Sequence, residues 1–215
     1  MGLATFIGGI HPYEGKELSE DKPIKYLEPL QGEVMVYPLS QHIGAPAKPL
    51  VAKGDHVLKG QIIAEAGGFI SANVLSSVSG TVKGIESKLV ANGAMVQSIL
   101  VENDGEEEAI EGFGTDRDAS KLSKEEIRQI VKDAGIVGLG GAGFPTHVKL
   151  TPKDENAIDY VIVNGAECEP YLNGDHLTMK NHPEELLKGI ELARIASGLD
   201  KAYYGIEKNK QDAID

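Results

Sequence analysis

Gly138-Leu-Gly-Gly-Ala-Gly-Phe-Pro-Thr-His-Val-Lys149 places four glycines within six residues. Backbone without Cβ atoms can close its N–H groups around a phosphate, or let a planar ring approach the chain. Lys149, six residues past the last glycine, can bring a positive charge to the same anion. The stretch is not a Walker A loop, because no Gly-Lys-Ser/Thr occurs in it. Gly138, Gly140 and Gly143 fit G-x-G-x-x-G only loosely, since a predicted helix over 124–134 precedes them instead of a strand. A glycine-rich turn that only packs is the plain alternative. A second element, Val161-Ile-Val-Asn-Gly-Ala-Glu-Cys-Glu-Pro170, reads as a short buried strand that delivers Asn164, Glu167 and Glu169 at its C-terminal end. Ligands of open α/β sheets bind at such strand ends. An Asn amide can both donate to and accept from a flavin or nucleotide ring edge. The two carboxylates can bind ribose hydroxyls, or a neighbouring amide and water.

Other reactive residue types offer less. The single Cys excludes an internal disulfide framework and a zinc or iron–sulfur site held by several thiolates. Cys168 sits between Glu167 and Glu169, and neighbouring carboxylates raise a thiol pKa, which argues against an activated thiolate. The six His (11, 42, 56, 147, 176 and 182) are scattered with no i, i+4 pair, so no metal site is expected. His11, in Gly-Gly-Ile-His-Pro, reads as a turn or interface residue, and Tyr203-Tyr204 as core.

The elements that must position these residues fall into two modules. Residues 30–101 read as short strands (EVMVYPL, KPLVA, QIIAEA, SSVSGTV, QSILVEN) bounded by Gly, Pro, Asn or Asp, which predicts a small all-β barrel or sandwich. Gly54 and Gly60 predict a tight turn, a short strand burying Val57, and a second turn into a strand at Ile62. Residues 102–118 hold eight acids and one base, which reads as a solvated linker or exposed loop. Beyond it, helix and strand alternate. Ser123 with Glu126 makes a capping box, Ile127, Ile130 and Val131 follow helical spacing, and Gly135 suits the C′ position. Pro183 fits a first helical turn before EELLKGIELARIAS, and KAYYGIE is another strand. NKQDAID then begins something that is not continued, a pattern expected of part of a longer protein.

Composition narrows the function classes. The chain has 215 residues and a net charge of −12, which disfavours non-specific binding to nucleic acid or anionic lipid. With no Trp and only 7 Tyr and 4 Phe, base-stacking platforms are not expected. No apolar run approaches the roughly 20 residues that span a bilayer. The front of the sequence has neither the basic nor the apolar region of a signal peptide.

Val51 to Ile63 with Ser77-Val-Ser-Gly-Thr-Val82 resembles the biotinyl/lipoyl-type barrel-sandwich hybrid. Carriers of that type need a Lys shortly before the S-G-x-V element, and Ser71-Ala-Asn-Val-Leu-Ser76 contains none. A structural barrel is therefore expected rather than a swinging-arm carrier. GLGGAGFPTHVK resembles the flavin loop (G-R-G-G-A-G-F-P-x-x-x-K) of the NADH-oxidising subunit of respiratory complex I, and VNGAECEP resembles its N-A-D-E-G-E-P strand end. With GGIHPYEGKELSEDKPI at the front and PLSQHIGAPAKPLVAKGDHVLKGQ next, nearly the whole chain is similar to the C-subunit family of Rnf electron transport complexes, membrane-associated NAD:ferredoxin oxidoreductases coupled to ion transport.

The resemblance implies an α+β chain of two modules: an all-β barrel-sandwich hybrid followed by a truncated α/β FMN-binding domain of complex I type. Its divisions are an extended segment at 1–29, the barrel at 30–101, the acidic linker at 102–120, and the first part of the FMN/NADH domain at 121–215. It implies FMN held by Gly138, Gly140, Gly141, Ala142, Gly143, Lys149, Asn164 and Glu167, with Phe144 on the adenine of NADH and Glu169 by the nicotinamide half. The implied reaction is hydride transfer between NAD(H) and flavin, with electrons passed to [4Fe-4S] clusters held beyond residue 215. The cofactor carries that chemistry, so no acid–base residue is assigned. Two departures are visible: Leu139 stands where complex I has Arg, and Ala166 where it has an acid. The family's second flavin-binding stretch would also lie beyond residue 215, so these residues alone are expected to bind FMN weakly and not to turn over. Partners implied are the other subunits of a membrane electron-transport complex, and ferredoxin indirectly. The chain would sit peripherally on the cytoplasmic side, inserting nothing itself. A cobalamin reductase of the same architecture and a docking module with a vestigial loop are the alternatives.

Overall fold

The computed structural model describes residues 12–215, so His11 and the start of the Gly-Gly-Ile-His-Pro segment lie outside the described residues. The chain forms two compact units. One comprises 27–159 with 195–199, and the other the described residues up to Tyr26 with 160–194 and 200–215.

The first unit opens with seven strands: β1 (Val34–Pro38), β2 (Lys48–Pro49), β3 (His56–Val57), β4 (Ile62–Glu65), β5 (Val74–Leu75), β6 (Gly80–Leu89) and β7 (Met95–Asn103). They make two antiparallel sheets, in the orders β1-β7-β6-β3 and β2-β4-β5. Tyr37, Val57, Val82, Ile99 and Val101 of the first sheet share one core with Ile63, Ala64 and Val74 of the second. That shared core makes the module a sandwich, and each fully buried aliphatic side chain contributes about 1.5–3 kcal/mol. Gly54 and Gly60 have positive φ (97° and 83°), as the predicted turns require. Strand β6 runs seven residues beyond the predicted SSVSGTV segment. Its extension pairs with the start of β7 as far as Leu89↔Met95. Both faces of that extension are largely exposed, so its sequence lacks the alternation that marks a half-buried strand.

The first two residues of the acidic segment, Glu102 and Asn103, end β7; the rest is an exposed loop, but one bound to the barrel. The Lys59 N–H donates to the Glu108 carbonyl (2.8 Å) and the Ile110 N–H to the Lys59 carbonyl (3.1 Å). Asp104 fastens its start. Its carboxylate accepts from the Ser79 hydroxyl (2.6 Å) and the Glu106 N–H (2.9 Å), and lies 2.9 Å from His56 Nε2. The Ser79 hydroxyl, the Glu106 N–H and His56 hold the Asp104 carboxyl down at about 2, from an ordinary 3.8. A depressed carboxyl contributes stability that is complete above 3.8 and is lost as pH falls through about 2. Thermal midpoints measured down through this window should therefore fall in the parent chain. They should fall less steeply in Asp104→Asn, which cannot titrate, and identical acid limbs would remove Asp104 from the balance.

The same unit carries α1 (Lys124–Asp133) and the one-turn α2 (Thr146–Lys149). The Ser123–Glu126 capping box is formed in both directions. Gly135 follows α1 at φ 63°, and a Cβ there would lie 2.3 Å from the Asn73 carbonyl oxygen of the barrel.

The second unit pairs β8 (Val161–Gly165) with β9 (Ala202–Ile206) in parallel, Val161 opposite Ala202 and Gly165 opposite Ile206. Between them come α3 (Gly174–Asn181) and α4 (Pro183–Ala196), and α5 (Gln211–Ile214) follows. Two expectations are corrected here. Strand β8 is not buried throughout and Tyr203 is not core: Ile162 is 67% exposed and Tyr203 54%. A parallel sheet is ordinarily covered on both faces. Among the described residues, the face bearing Tyr160, Ile162 and Tyr203 has no layer over it, and the Tyr160 ring meets the Tyr203 ring edge-on with centroids 5.2 Å apart.

Candidate functional site

The glycine loop is a closed finger. Val137 bridges Pro145 in antiparallel fashion, the Gly138 N–H donates to the Phe144 carbonyl (2.9 Å), and the Thr146 N–H to that of Ile136 (3.0 Å). Its glycines do different jobs. Gly138 and Gly143 spend their N–H groups inside the loop, on Phe144 and, at 3.5 Å, on Gly140. Within residues 138–144 the backbone donors left without an acceptor among the described residues are those of Leu139, Gly140, Gly141, Ala142 and Phe144. Four of these five N–H groups lie at the tip, and they do not coincide with the four glycines.

A Cβ at Gly140 or Gly141 would meet nothing within 4 Å, so the tip leaves room for a ring or phosphate against its backbone. Gly143 faces the opposite constraint. It is buried at φ 58°, and a Cβ there would lie 2.7 Å from the Gln41 carbonyl oxygen and 3.2 Å from His42 Cα. The Ile43 N–H also donates to the Ala142 carbonyl (3.0 Å). The barrel loop at 41–43 is thus the seat of the glycine loop, which periodicity has no means of showing. Ala142 is exposed, Leu139 wholly so, and Phe144 is half-buried. Lys149 ends α2, exposed and with no ion pair among the described residues. Ser71 to Ser76, where a carrier would display its Lys, is mostly buried: Ser71, Ala72, Val74 and Ser76 are all in the interior.

Asn164, Glu167 and Glu169 belong to the other unit, around the end of β8. Asn164 is exposed, and its Oδ1 accepts from the Ala166 N–H (3.0 Å), which turns the chain out of the strand. Its amide NH2 has no partner among the described residues. Glu167 is buried, and its carboxylate accepts from the N–H groups of Asp175 (3.1 Å) and His176 (3.5 Å). It therefore caps α3, whose own N-cap residue, Asn173, makes no side-chain cap. Sequence reasoning misses this use of Glu167, because a capping carboxylate is normally sought at the N-cap or N3. Glu169 is exposed, and the Cys168 thiol lies 3.7 Å from its carboxylate. Burial pushes the Asp175 carboxyl above the usual carboxylate range, Glu167 and Glu169 add to the rise, and Lys16 opposes it. Lys16 is a second residue that sequence reasoning misses; its ammonium bonds the Glu167 carbonyl (2.5 Å).

The residues present fit a flavin phosphate and ring in two respects, donors at the tip and space beside Gly140 and Gly141; Lys149, which has no ion pair among the described residues, follows on α2.

Comparison with known proteins draws the boundary elsewhere than the two compact units do, grouping the glycine loop with residues 160–215. Residues 4–106 match the RnfC barrel sandwich hybrid domain, and residues 131–215 the Nuo51 FMN-binding domain. The chain is 43% identical over 213 residues to the C subunit of the proton-translocating ferredoxin:NAD(+) oxidoreductase complex of Clostridium ljungdahlii, covering 99% of this chain and 46% of that protein. It is 44% identical over 214 residues to the Na(+)-translocating counterpart of Acetobacterium woodii, covering 98% and 47%. The C subunit of the ion-translocating oxidoreductase complex of Rhodobacter capsulatus is 40% identical over 210 residues, covering 97% and 40%. The chain thus spans about half the length, or less, of the curated relatives it matches. With both family models matched and this identity along nearly all its residues, the chain belongs to the RnfC family, the C subunits of Rnf complexes.

Proposed function

We propose that this chain is the flavin- and NAD(H)-binding part of an ion-translocating ferredoxin:NAD oxidoreductase, peripheral on the cytoplasmic face of its membrane partners. The observation that carries the reading is the glycine-loop tip, with its unaccepted N–H groups and open backbone. The names of the relatives support it, since they are subunits of ferredoxin:NAD(+) oxidoreductase complexes. FMN, when bound, would accept a hydride from NADH and release electrons singly.

This chain's residues would do the binding and orienting. The Leu139–Ala142 N–H groups would hold the phosphate as a nest of donors, and Lys149 would add a positive charge. Gly140, Gly141 and Gly143, with Gly138 closing the finger, would keep the backbone clear and in place. Asn164 would offer its amide NH2 to the ring edge, while Glu167 would act by fixing α3 at the strand end. Phe144 would stack on the adenine of NAD(H), and Glu169 would place the nicotinamide half. The iron–sulfur clusters would belong to sequence beyond residue 215. Among the described residues no helix is long and apolar enough to cross a membrane.

The test uses the full-length chain. It should bind FMN and, without oxygen, its flavin absorbance should bleach on adding NADH and recover with an electron acceptor. Absence of FMN uptake by a folded full-length chain would sink the reading.

A further inference from the structure

The loop joining β8 to α3 carries Glu167 and Glu169, and it is held by residues about 150 positions earlier. Lys16 donates from Nζ to two carbonyls of that loop, Glu167 (2.5 Å) and Leu172 (2.9 Å). The Tyr171 N–H donates to the Glu14 carbonyl (2.6 Å), and the Ser19 hydroxyl to the Tyr171 carbonyl (3.2 Å). Asn173, buried, returns two bonds from Nδ2, to the Lys16 carbonyl (2.6 Å) and the Ser19 hydroxyl (2.9 Å). The loop is thus stitched at its start, middle and end.

Two backbone features show that the fit is specific. Tyr171 lies at φ 66°, a region that costs a bulky residue free energy and persists only where surroundings impose it. Gly15 lies opposite at φ 61°, and a Cβ on it would come within 2.2 Å of the Tyr171 ring. Tyr13 adds an edge-on contact to the same ring at 6.2 Å. A lysine that merely covered apolar surface would keep its ammonium in water. Lys16 instead spends it on backbone oxygens of a loop carrying two carboxylates, and it loses rotamer freedom in doing so.

We infer that residues 14–19 are a clamp that sets the conformation of the 166–173 loop, and that Lys16 and Gly15 are positioning residues for Glu169 at the end of β8. The effect on NAD(H) rests on the function proposed above; the hold on the loop does not. The clamp acts through backbone: Lys16 fixes the carbonyl of Glu167, and that residue's side chain is fixed in turn by the N-terminus of α3. Glu169, two residues on, is left exposed at the resulting turn. The Lys16 charge also opposes the rise that burial, Glu167 and Glu169 impose on the Asp175 carboxyl.

The experiment compares the full-length chain with its Lys16→Met, Lys16→Arg and Gly15→Val variants. Two quantities are read: amide hydrogen exchange over 166–176, and kcat and KM for NADH. Losing two charge-assisted bonds in Lys16→Met, or forcing a side chain against the Tyr171 ring in Gly15→Val, should speed exchange in that segment about tenfold or more. KM should rise while kcat and FMN content hold, and Lys16→Arg, which keeps a donor cation, should recover most of both. Unchanged exchange in Lys16→Met overturns the clamp. Faster exchange with kcat and KM both unmoved overturns the positioning role. If the unaltered chain neither binds FMN nor oxidises NADH, the proposed function fails by itself, and the exchange arm still decides whether residues 14–19 hold the loop.

Discussion

Lys149→Ala in the full-length chain is expected to weaken FMN binding about 10- to 100-fold while leaving the fold intact. The residue is exposed at the end of a one-turn helix and makes no ion pair among the described residues, so its loss removes no structural bond. A hydrogen bond to a charged group contributes about 1.5–3 kcal/mol, and each 1.4 kcal/mol is a factor of ten. The upper part of that range applies if the phosphate is shielded from water, because an exposed pair is screened by salt. Lys149→Arg should recover part of the affinity, since it keeps the charge but changes the reach and fork geometry of the donor. Flavin fluorescence titrations at two salt concentrations would measure this. Equal affinities for the parent and Lys149→Ala would mean that the loop's N–H groups act alone, or that the phosphate lies elsewhere.

What can be read from the sequence follows physical range. Local rules hold: the capping box at Ser123–Glu126, the C′ glycine at 135 and the turn glycines at 54 and 60 depend only on neighbours a few residues away. The runs of aliphatic residues that mark β1, β4 and β7 are likewise a local signal. Long-range demands are invisible. Nothing at Glu167 announces that its carboxylate caps a helix seven residues on, because the cap is made across a loop rather than from the N-cap position. Lys16 reads as one cation in a charged front segment, and its bonds lie 151 and 156 residues away. Tyr203 reads as core because strand tyrosines usually pack, but a two-stranded parallel sheet leaves a face open. The candidate site is legible by residue type and spacing, but the division of labour among its glycines is not, since the four look alike in sequence and meet different surroundings.

That division predicts opposite results at two glycines three residues apart. Gly143→Ala should damage the fold, and Gly140→Ala should damage only binding. At Gly143 an added Cβ faces backbone, the Gln41 carbonyl oxygen at 2.7 Å and His42 Cα at 3.2 Å, and backbone cannot swing aside as a side-chain tip can. The left-handed φ of 58° adds about 1–2 kcal/mol of strain, and overpacking a close contact adds about 1–3 kcal/mol. The combined cost of ~2–5 kcal/mol must either destabilise the unit or push the loop off its seat at 41–43. At about 2–4 °C per kcal/mol for a chain of this size, the thermal midpoint should fall by roughly 4–20 °C. At Gly140 nothing lies within 4 Å of the added Cβ and φ is not left-handed, so the midpoint should stay within about 2 °C. If a ring or phosphate lies against the tip, that same methyl group must collide with it, and FMN affinity should collapse in a chain of undiminished stability. The two measurements together separate the glycine that seats the loop on the barrel from the glycine that clears room for a ligand. A Gly140→Ala variant that binds FMN as well as the parent would show that the open backbone at the tip is not where the flavin lies.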